Sequence, residues 1–412
     1  MTSPGPFSTV ALATTMFAVA LGTTACLADS IFNTEGMGED LIPVQGPTQA
    51  LAGAVAAYPD PLAASIINPS AAARAQSLIL TGGFVHTRTS TDNLGTTVET
   101  VGSSFPSVAA IIPLGKFALL AGLYVEKQGR VSFAETDTLK SSEGTEGGTI
   151  YDASFVRETS VYSVPLFVST EVARRLLLSA GIVFSFFDLR EETALDFRAS
   201  EFIDTDDVAD TQAMGEGFAA AFLVDLDRLS LGGLYRNGVG LDGSLDRTNS
   251  IIGLWSSEDV EISSHEALRF GLRVRPVSAF SIEADYDRTP WSRLTLDGHE
   301  LSDRLIERWS VGIQYRGERL WRASKYPLSL GFSRQPADWR GGAKGVLDVG
   351  DVSREVYSVG LSIPLAQERA ELDVALQIGS RKSEARPDLK DSFYGFSVSI
   401  SAVEPWTKEM KH

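Results

Sequence analysis

The amino-acid sequence predicts an all-β protein: a transmembrane, antiparallel, up-and-down β-barrel of about fourteen strands with an N-terminal hatch or plug. Three observations predict it. After Gln76, apolar residues recur at every second position, as in strands with one apolar face. Short connections alternate with long polar ones, as in barrels of the outer membrane. No run of roughly 18 apolar residues occurs, so no spanning helix is expected.

The N-terminus predicts export. The apolar run 10–21 is too short to span a membrane and fits the central region of a signal peptide, so residues 1–28 are interpreted as that signal. Two alternatives stay open: lipidation at Cys26, and a buried N-terminal helix. Because Cys26 is the single cysteine, a disulfide framework is excluded.

Composition narrows the function. The chain has 412 residues, 36 Lys and Arg against 53 Asp and Glu, and a formal net charge of −17. This acidity argues against a nucleic-acid partner, which needs a basic surface. Four scattered histidines do not predict a metal site, and no cofactor is expected. No nucleophile motif is found, so an enzyme is not predicted, and a barrel hydrolase acting on lipids is the least favoured alternative.

The segment between signal and first strand is unusual. Residues 50–73 are small and apolar, are broken by three prolines and carry Asp60 as their single acidic residue. We interpret residues 29–74 as the plug, residues 75–402 as the barrel and residues 403–412 as a periplasmic tail.

Fourteen strand segments are predicted, each long enough for the roughly 9–11 residues that a spanning strand needs. They are 76–89, 104–113, 117–127, 153–170, 176–190, 215–226, 229–238, 263–275, 279–290, 305–317, 326–335, 353–364, 369–381 and 391–402. The long polar connections, expected outside the cell, are 128–152, 191–214, 239–262, 291–304 and 336–352.

Alternation within these strands predicts which face meets lipid. In the last strand Tyr394, Phe396 and Ile400 share one face, and serines share the other. In the strand 305–317, Trp309 and Val311 oppose polar residues in the same way. An apolar face opposite a polar one is the lipid-out, lumen-in pattern of a barrel.

The densest charge pattern lies on the hairpin 267–290. It places six residues on the inner face: Arg269, Arg273, Arg275, Glu283, Asp285 and Asp287. The turn predicts Arg273 opposite Glu283 and Arg269 opposite Asp287, pairings that stabilise a sheet modestly. One interpretation is a structural charge ladder along a wet wall. The other is that these charges line a substrate path or contact the plug.

Other inner-face positions are apolar. Val161, Pro165, Val183 and Leu223 could extend an apolar wall for a ligand or simply fill a narrow lumen, and Pro165 could kink its strand. His86, within the first strand, is expected to be solvated or to face the pore.

At this point the sequence resembles the FadL-type outer-membrane transporters. The plug motif of that family, an aspartate ahead of Asn-Pro-Ala, is similar to Asp60 followed by Asn68, Pro69 and Ser70, with Ser70 in place of alanine. The family's later hairpin is similar to a second set of residues. These are Gly271, Pro276, Asp285, Tyr286 and Trp291.

The resemblance implies a barrel in the bacterial outer membrane that takes up hydrophobic small molecules passively, such as long-chain fatty acids or hydrocarbons. It implies outer-membrane lipids and the barrel-assembly machinery as partners. The PorV-like branch of the family implies an alternative: a partner or scaffold in a protein-secretion complex. The sequence does not choose between the two.

Overall fold

The computed structural model describes the chain from residue 38 to residue 404 with internal gaps. The described ranges are 38–64, 66–93, 96–139, 149–198, 203–251, 255–264, 266–288, 294–296, 299–302, 307–316, 326–336, 352–365, 369–383 and 386–404. The predicted signal peptide and most of the C-terminal tail lie outside these residues.

Nineteen strands form one antiparallel sheet in the described part of the chain. They are β1 (Glu39–Asp40), β2 (Leu78–Asn93), β3 (Thr96–Leu114), β4 (Phe117–Leu139), β5 (Thr149–Ala173), β6 (Leu176–Phe197), β7 (Thr205–Asp225), β8 (Leu229–Arg236), β9 (Gly240–Asn249), β10 (Trp255–Ser263), β11 (Ala267–Val277), β12 (Phe280–Arg288), β13 (Leu294–Leu296), β14 (His299–Ser302), β15 (Glu307–Tyr315), β16 (Leu328–Pro336), β17 (Val352–Leu365), β18 (Ala370–Ser383) and β19 (Lys390–Glu404).

The sheet closes into a barrel of fourteen passes, which confirms the predicted fold class. The last strand, β19, pairs with the first wall strand, β2, from Lys390 opposite Asp92 to Glu404 opposite Leu78. Four passes are each divided into two strands: β8 with β9, β10 with β11, β12 with β13, and β14 with β15. Closure leaves no sheet edge along most of the wall.

The outer surface carries the apolar face that alternation predicted. Trp309 is 60% exposed, Ile378 60% and Tyr394 55%, and these side chains point away from the lumen. Large exposed apolar side chains on every side of a closed barrel fit a bilayer, since water would leave them unfavourably hydrated.

Several predicted loops are wrong, because strands continue through them. β4 runs to Leu139 and β5 begins at Thr149, within the expected connection 128–152. β6 and β7 likewise extend through most of 191–214, and β9 and β10 through most of 239–262. Above the bilayer both faces of a strand meet water, so the hydrophobic alternation that marks a strand disappears while the backbone pairing continues.

Residues 38–74, called the plug below, lie inside the barrel. They contain two short 3₁₀ helices, Gly46–Thr48 and Pro69–Arg74, and one α-helical turn, α1 (Pro61–Ala64). Residues 50–58 are almost fully buried against the inner wall. Among the described residues, no helix has the length and apolar character to cross a membrane.

The wall is interrupted between β3 and β4. Their pairing runs from Leu114 opposite Phe117 only to Ser107 opposite Tyr124. Beyond that point β3 pairs with β2 alone among its wall neighbours, and β4 with β5. Two residues of the plug, Glu39 and Asp40 of β1, pair with β4 at Gln128 and Lys127, on the side where β3 has separated from it.

Candidate functional site

The plug backbone is held by one acidic side chain of the wall. Asp285 on β12 is 5% exposed, and its Oδ2 accepts hydrogen bonds from the backbone N–H groups of Val55 (2.8 Å) and Ala56 (2.7 Å). Asp285 therefore contacts the plug. Contact with the plug was one of the two interpretations of the charged hairpin.

The other members of the hairpin pair within the wall. Arg273 lies opposite Glu283 and donates to it at 3.0 Å. Arg269 lies opposite Asp287 and donates to it at 2.5 Å. Arg308 of β15 donates to the same carboxylate at 2.5 Å, so Asp287 lies between two guanidinium groups.

Arg275 lies apart from this network. Its guanidinium donates to the carbonyl of Asp227 in the turn after β7 and lies 3.8 Å from Asp225. Arg275 therefore stabilises the turn between β7 and β8, and its guanidinium lies at that turn and not in the lumen.

Tyr58 fixes the plug to β11 and β15. Its ring lies under the guanidinium of Arg273 at 4.4 Å, and its hydroxyl donates to Oε1 of Gln314 at 2.7 Å and accepts from Arg316. Burial raises the pKa of Tyr58 to about 12, although the nearby Arg316 opposes the shift. The phenol is therefore protonated at neutral pH and can donate that hydrogen bond.

The plug motif shapes the last part of the plug. Asp60 accepts from the N–H of Leu62 at 3.0 Å at the start of α1. Asn68 caps the second 3₁₀ helix by accepting from the N–H of Ser70 at 3.1 Å. Its amide also donates to the carbonyls of Ala56, within the plug, and Phe222, on β7.

Pro69 and Ser70 complete this motif at the exit from the plug. The carbonyl of Pro69 accepts from Ser169 of β5 at 2.8 Å, and Ser70 is fully buried. Proline is well suited to the first turn of a helix, where its missing N–H has no partner to lose. Asn68 and Pro69 thus join the plug to the wall at β7 and β5.

The wall makes room for the plug with glycines. A methyl group added at Gly83 of β2 would lie within 3.0 Å of a plug atom, and so would one added at any of five inner-face glycines on the strands from β8 to β17. This glycine belt comprises Gly232, Gly271, Gly312, Gly331 and Gly360. The strongest case is Gly232, where the added carbon would lie 1.9 Å from the carbonyl oxygen of Ala56. At Gly232, Gly271 and Gly331 the belt lets plug backbone lie directly against wall backbone, and at Gly312 and Gly360 it makes room for the side chains of Leu51 and Ala50.

The N-terminal end of the plug is fixed by ion pairs. Glu39 accepts from Arg381 of β18 and lies 3.9 Å from Arg354 of β17. Asp40 lies 3.2 Å from Nζ of Lys127, a β4 lysine that is completely buried. These contacts hold β1 across the lumen, next to the interrupted wall.

Two features of the chain accompany the interruption. Pro106 is the β3 residue next to Ser107, where the pairing with β4 ends, and it has no N–H to donate to a neighbouring strand. Glu126 is an additional residue in β4, which shifts the pairing with β5 between Val125 and Lys127. Such a bulge bends its strand, and here residues 125–129 are all buried.

A cavity lies directly inside the interruption. Its volume is about 70 Å³, and its lining includes residues of both free edges, Gly102 to Ser104 on β3 and Gln128 on β4. Thr89, Ser104 and Gln128 each have a buried polar atom without a hydrogen-bond partner. A space of this size holds roughly five water molecules.

A second cavity lies on the other side of residues 40–43. Its volume is about 80 Å³, and its lining includes Glu126, Arg236 and Arg269. Arg236 pairs with Glu126 at 2.5 Å, and both side chains are 5% exposed. Residues 40–43 therefore separate two cavities of the lumen.

The apolar inner-face residues fill space. Val183 packs in a cluster with Ala72, and Leu223 in a cluster with Ala71, both at the end of the plug. Val161 packs against Phe187 and Leu241 of the neighbouring wall. Pro165 is buried, and the β4–β5 ladder skips Val164 and Pro165.

One expectation is wrong. His86 does not face the pore, because β2 alternates without a break along β19 and places His86 opposite Phe396, whose side chain faces outwards. Its ring lies 5.3 Å from that of Phe396 on the outer face, and its Nδ1 is 2.8 Å from the hydroxyl of Ser103. The hydroxyl of Ser103 thus gives the imidazole of His86 a hydrogen-bond partner at an otherwise apolar surface.

Known structures share this architecture. A FadL homologue from Pseudomonas aeruginosa is 13% identical, and the aligned region covers 90% of this chain and 100% of that one, with a TM-score of 0.59. The toluene transporter TbuX of Ralstonia pickettii is 16% identical over 90% and 100% of the two chains, with a TM-score of 0.54.

The monoaromatic hydrocarbon channel CymD is 15% identical over 88% and 98% of the two chains, with a TM-score of 0.56. No protein-family model and no curated protein matches the sequence. At these identities the likeness shows the fold: this chain has the barrel fold of the FadL-type channels.

Proposed function

We propose that this protein is an outer-membrane channel through which hydrophobic small molecules diffuse passively. The interrupted pairing of β3 and β4, next to a cavity in the lumen, is the observation that carries the proposal. A hydrophobic molecule that enters the lumen from outside can leave sideways into the bilayer there, where a continuous wall would prevent it.

The plug supports a sideways route. It contacts the wall on nearly every side and is fixed by Asp285, Tyr58 and the glycine belt. Straight passage of a bulky ligand towards the periplasm would require these contacts to break together. Opening between β3 and β4 requires the displacement of β1, which is held by its backbone pairing with β4 and by the side chains of Glu39 and Asp40.

The outer surface beside the interruption is aromatic. Phe105 is 43% exposed, and its ring lies 5.1 Å from that of Phe84, which in turn lies 6.0 Å from Phe396. An apolar molecule leaving between β3 and β4 would reach this surface without crossing water, which favours its transfer.

The structural neighbours suggest the substrate class. Two of them are named for toluene or monoaromatic hydrocarbons, and a third for its homology to FadL. We infer that this chain carries molecules of that kind: monoaromatic hydrocarbons or long-chain fatty acids.

Uptake of radiolabelled toluene and oleate by a deletion strain tests the proposal. Complementation with the wild-type chain restores uptake, whereas Ser104→Trp does not, since an indole placed on this buried residue fills the cavity beside the interruption. Ser104→Ala is the matched control and restores uptake. Normal uptake of both compounds by the deletion strain contradicts the proposal, as does full rescue by Ser104→Trp.

A second candidate function rests on the same edges. A strand edge without a neighbouring strand accepts a strand from another chain, and among the described residues β3 has no such neighbour on its β4 side from residue 101 to 106. A role as partner in a secretion complex predicts that the tagged chain purifies from membranes with a large assembly. Purification of the barrel alone from mild detergent contradicts it.

A further inference from the structure

The inner face of β19 carries a column of hydroxyl groups beside the plug. Ser397, Ser399 and Ser401 succeed one another at every second position towards the end of the strand, and each is at most 2% exposed. The hydroxyl of Ser401 donates to that of Thr81 on β2 at 3.1 Å. Together these groups, called the serine seam below, reach the periplasmic end of the barrel.

Space remains between the seam and the plug. A small cavity of about 10 Å³ is lined by Ser397 and Ser399, by Ser362 and Asp373 of the neighbouring strands, and by plug residues. It holds about one water molecule. Asp373 accepts from Ser362 and from Ser399 (3.4 Å), so its carboxylate makes these contacts with the wall.

One plug side chain separates this space from the larger cavity above. Gln49 lines both the 70 Å³ cavity beside β3 and the 10 Å³ cavity on the seam. Its Oε1 accepts from Nε2 of Gln377 on β18 at 2.7 Å, and its own amide donates to the carbonyl of Ile42 at 2.6 Å. The Gln49–Gln377 hydrogen bond therefore lies between the two spaces.

We propose that the serine seam is a second permeation route, for small polar solutes, which runs past the plug to the periplasm and is closed by the Gln49–Gln377 hydrogen bond. Hydroxyl and amide groups replace the hydration of a polar solute, and they offer nothing to an apolar one. The narrow cavity restricts the route to molecules of a few non-hydrogen atoms, for which urea is a suitable probe.

The two routes separate at the upper cavity. The route between β3 and β4 leads into the bilayer and suits apolar molecules, whereas the seam leads along β19 and suits polar ones. The seam does not depend on hydrophobic uptake, so either proposal can fail without the other.

Proteoliposomes containing the full-length chain test the seam by their swelling rate in isosmotic urea. Gln49→Ala raises the rate about two- to tenfold, the population shift expected from loss of one hydrogen bond. Adding Ser399→Val to Gln49→Ala returns the rate to that of the wild type, because the valine narrows the seam and removes a hydroxyl. Ser397→Val serves as a second blocking variant, and circular dichroism verifies that every variant retains its strands.

Ser358→Ala is the matched control. It also removes a side-chain hydrogen bond to the plug, from Ser358 to the carbonyl of Ala50 (2.8 Å), but Ser358 does not line the seam cavity. Its swelling rate stays at the wild-type value. An unchanged rate in Gln49→Ala overturns the proposal. So does an equal increase in Ser358→Ala, or an increase that both valine variants leave intact.

Discussion

The plug meets the barrel wall in two different ways on its two sides. Towards β8, β11, β12, β15, β16 and β17, plug backbone lies directly on the glycine belt and is held by Asp285. Towards β18, β19, β2 and β3, contact depends mainly on side chains, such as Gln49 with Gln377, and cavities remain. Gly83, which approaches Val44, is a close contact on this second side.

The difference assigns separate roles to the two sides. Where plug backbone lies on wall backbone no space is left for water or solute, so the second cavity lies beside these contacts, at Arg269 and Arg308. The two hydrogen bonds that Asp285 accepts resist opening there. Side-chain contacts break individually, since each can change rotamer without moving the plug. The side with the glycine belt therefore fixes the plug, and we call it the seat of the plug. Solutes pass on the other side. Three substitutions test this comparison.

The largest effect is expected from Asp285→Ala. It leaves the buried N–H group of Ala56 without an acceptor, at a cost of about 1–3 kcal/mol, and it removes one of the two acceptors of the N–H of Val55, which also donates to the carbonyl of Gly53 at 2.9 Å. The plug should loosen, so a protease added to the purified barrel should cut it at a lower temperature than in the wild type. Local opening of this kind precedes loss of the barrel.

Asp373→Ala is the control on the opposite side. Asp373 is as buried as Asp285, at 6% against 5% exposed, but it accepts from Ser362 and Ser399 of the wall. Its loss should leave the temperature of plug cleavage close to that of the wild type. Equal loosening by both substitutions would contradict the distinction between seat and seam.

The glycine belt gives the next effect. In Gly232→Ala the new methyl would lie 1.9 Å from the carbonyl oxygen of Ala56, so the plug or β8 must shift. Overpacking of this kind costs about 1–3 kcal/mol, and the plug should again become susceptible to protease at lower temperature. Gly240→Ala makes the same chemical change where no atom lies within 4 Å. If the two variants behave alike, the belt is not the seat.

The barrel itself could be predicted from the sequence, and the ends of its strands could not. Tyr394, Phe396 and Ile400 alternate with serines because lipid lies on one side of β19 and the plug and lumen on the other. The polar residues between Gln128 and Leu139 carry no such contrast, although they continue β4. Alternation of apolar and polar residues therefore identifies only those parts of a strand whose two faces meet different surroundings.

The plug site was predictable only in part. The pairing of Arg273 with Glu283 followed from hairpin geometry, since the two residues are ten positions apart. Asp285 instead binds the backbone of Val55, 230 positions away, and backbone N–H groups leave no mark in a sequence. The glycine belt was missed for the same reason. Pro106 was an available signal for the interrupted wall, because proline weakens a ladder wherever it occurs.

The smallest effect is expected from Tyr58→Phe. This change removes the hydrogen bonds to Gln314 and from Arg316 and keeps the ring under Arg273. The cost is about 0.5–1.5 kcal/mol, the usual value for a hydrogen bond between side chains. Tyr58→Leu also removes the cation–π contact, which adds about 0.5–2 kcal/mol. The cleavage temperature should therefore fall slightly in the first variant and further in the second. Because Tyr58 lies on the seat, neither variant should raise urea permeability as Gln49→Ala does; a rise in Tyr58→Phe would show that any loosening of the plug opens a path, and that the two sides do not differ.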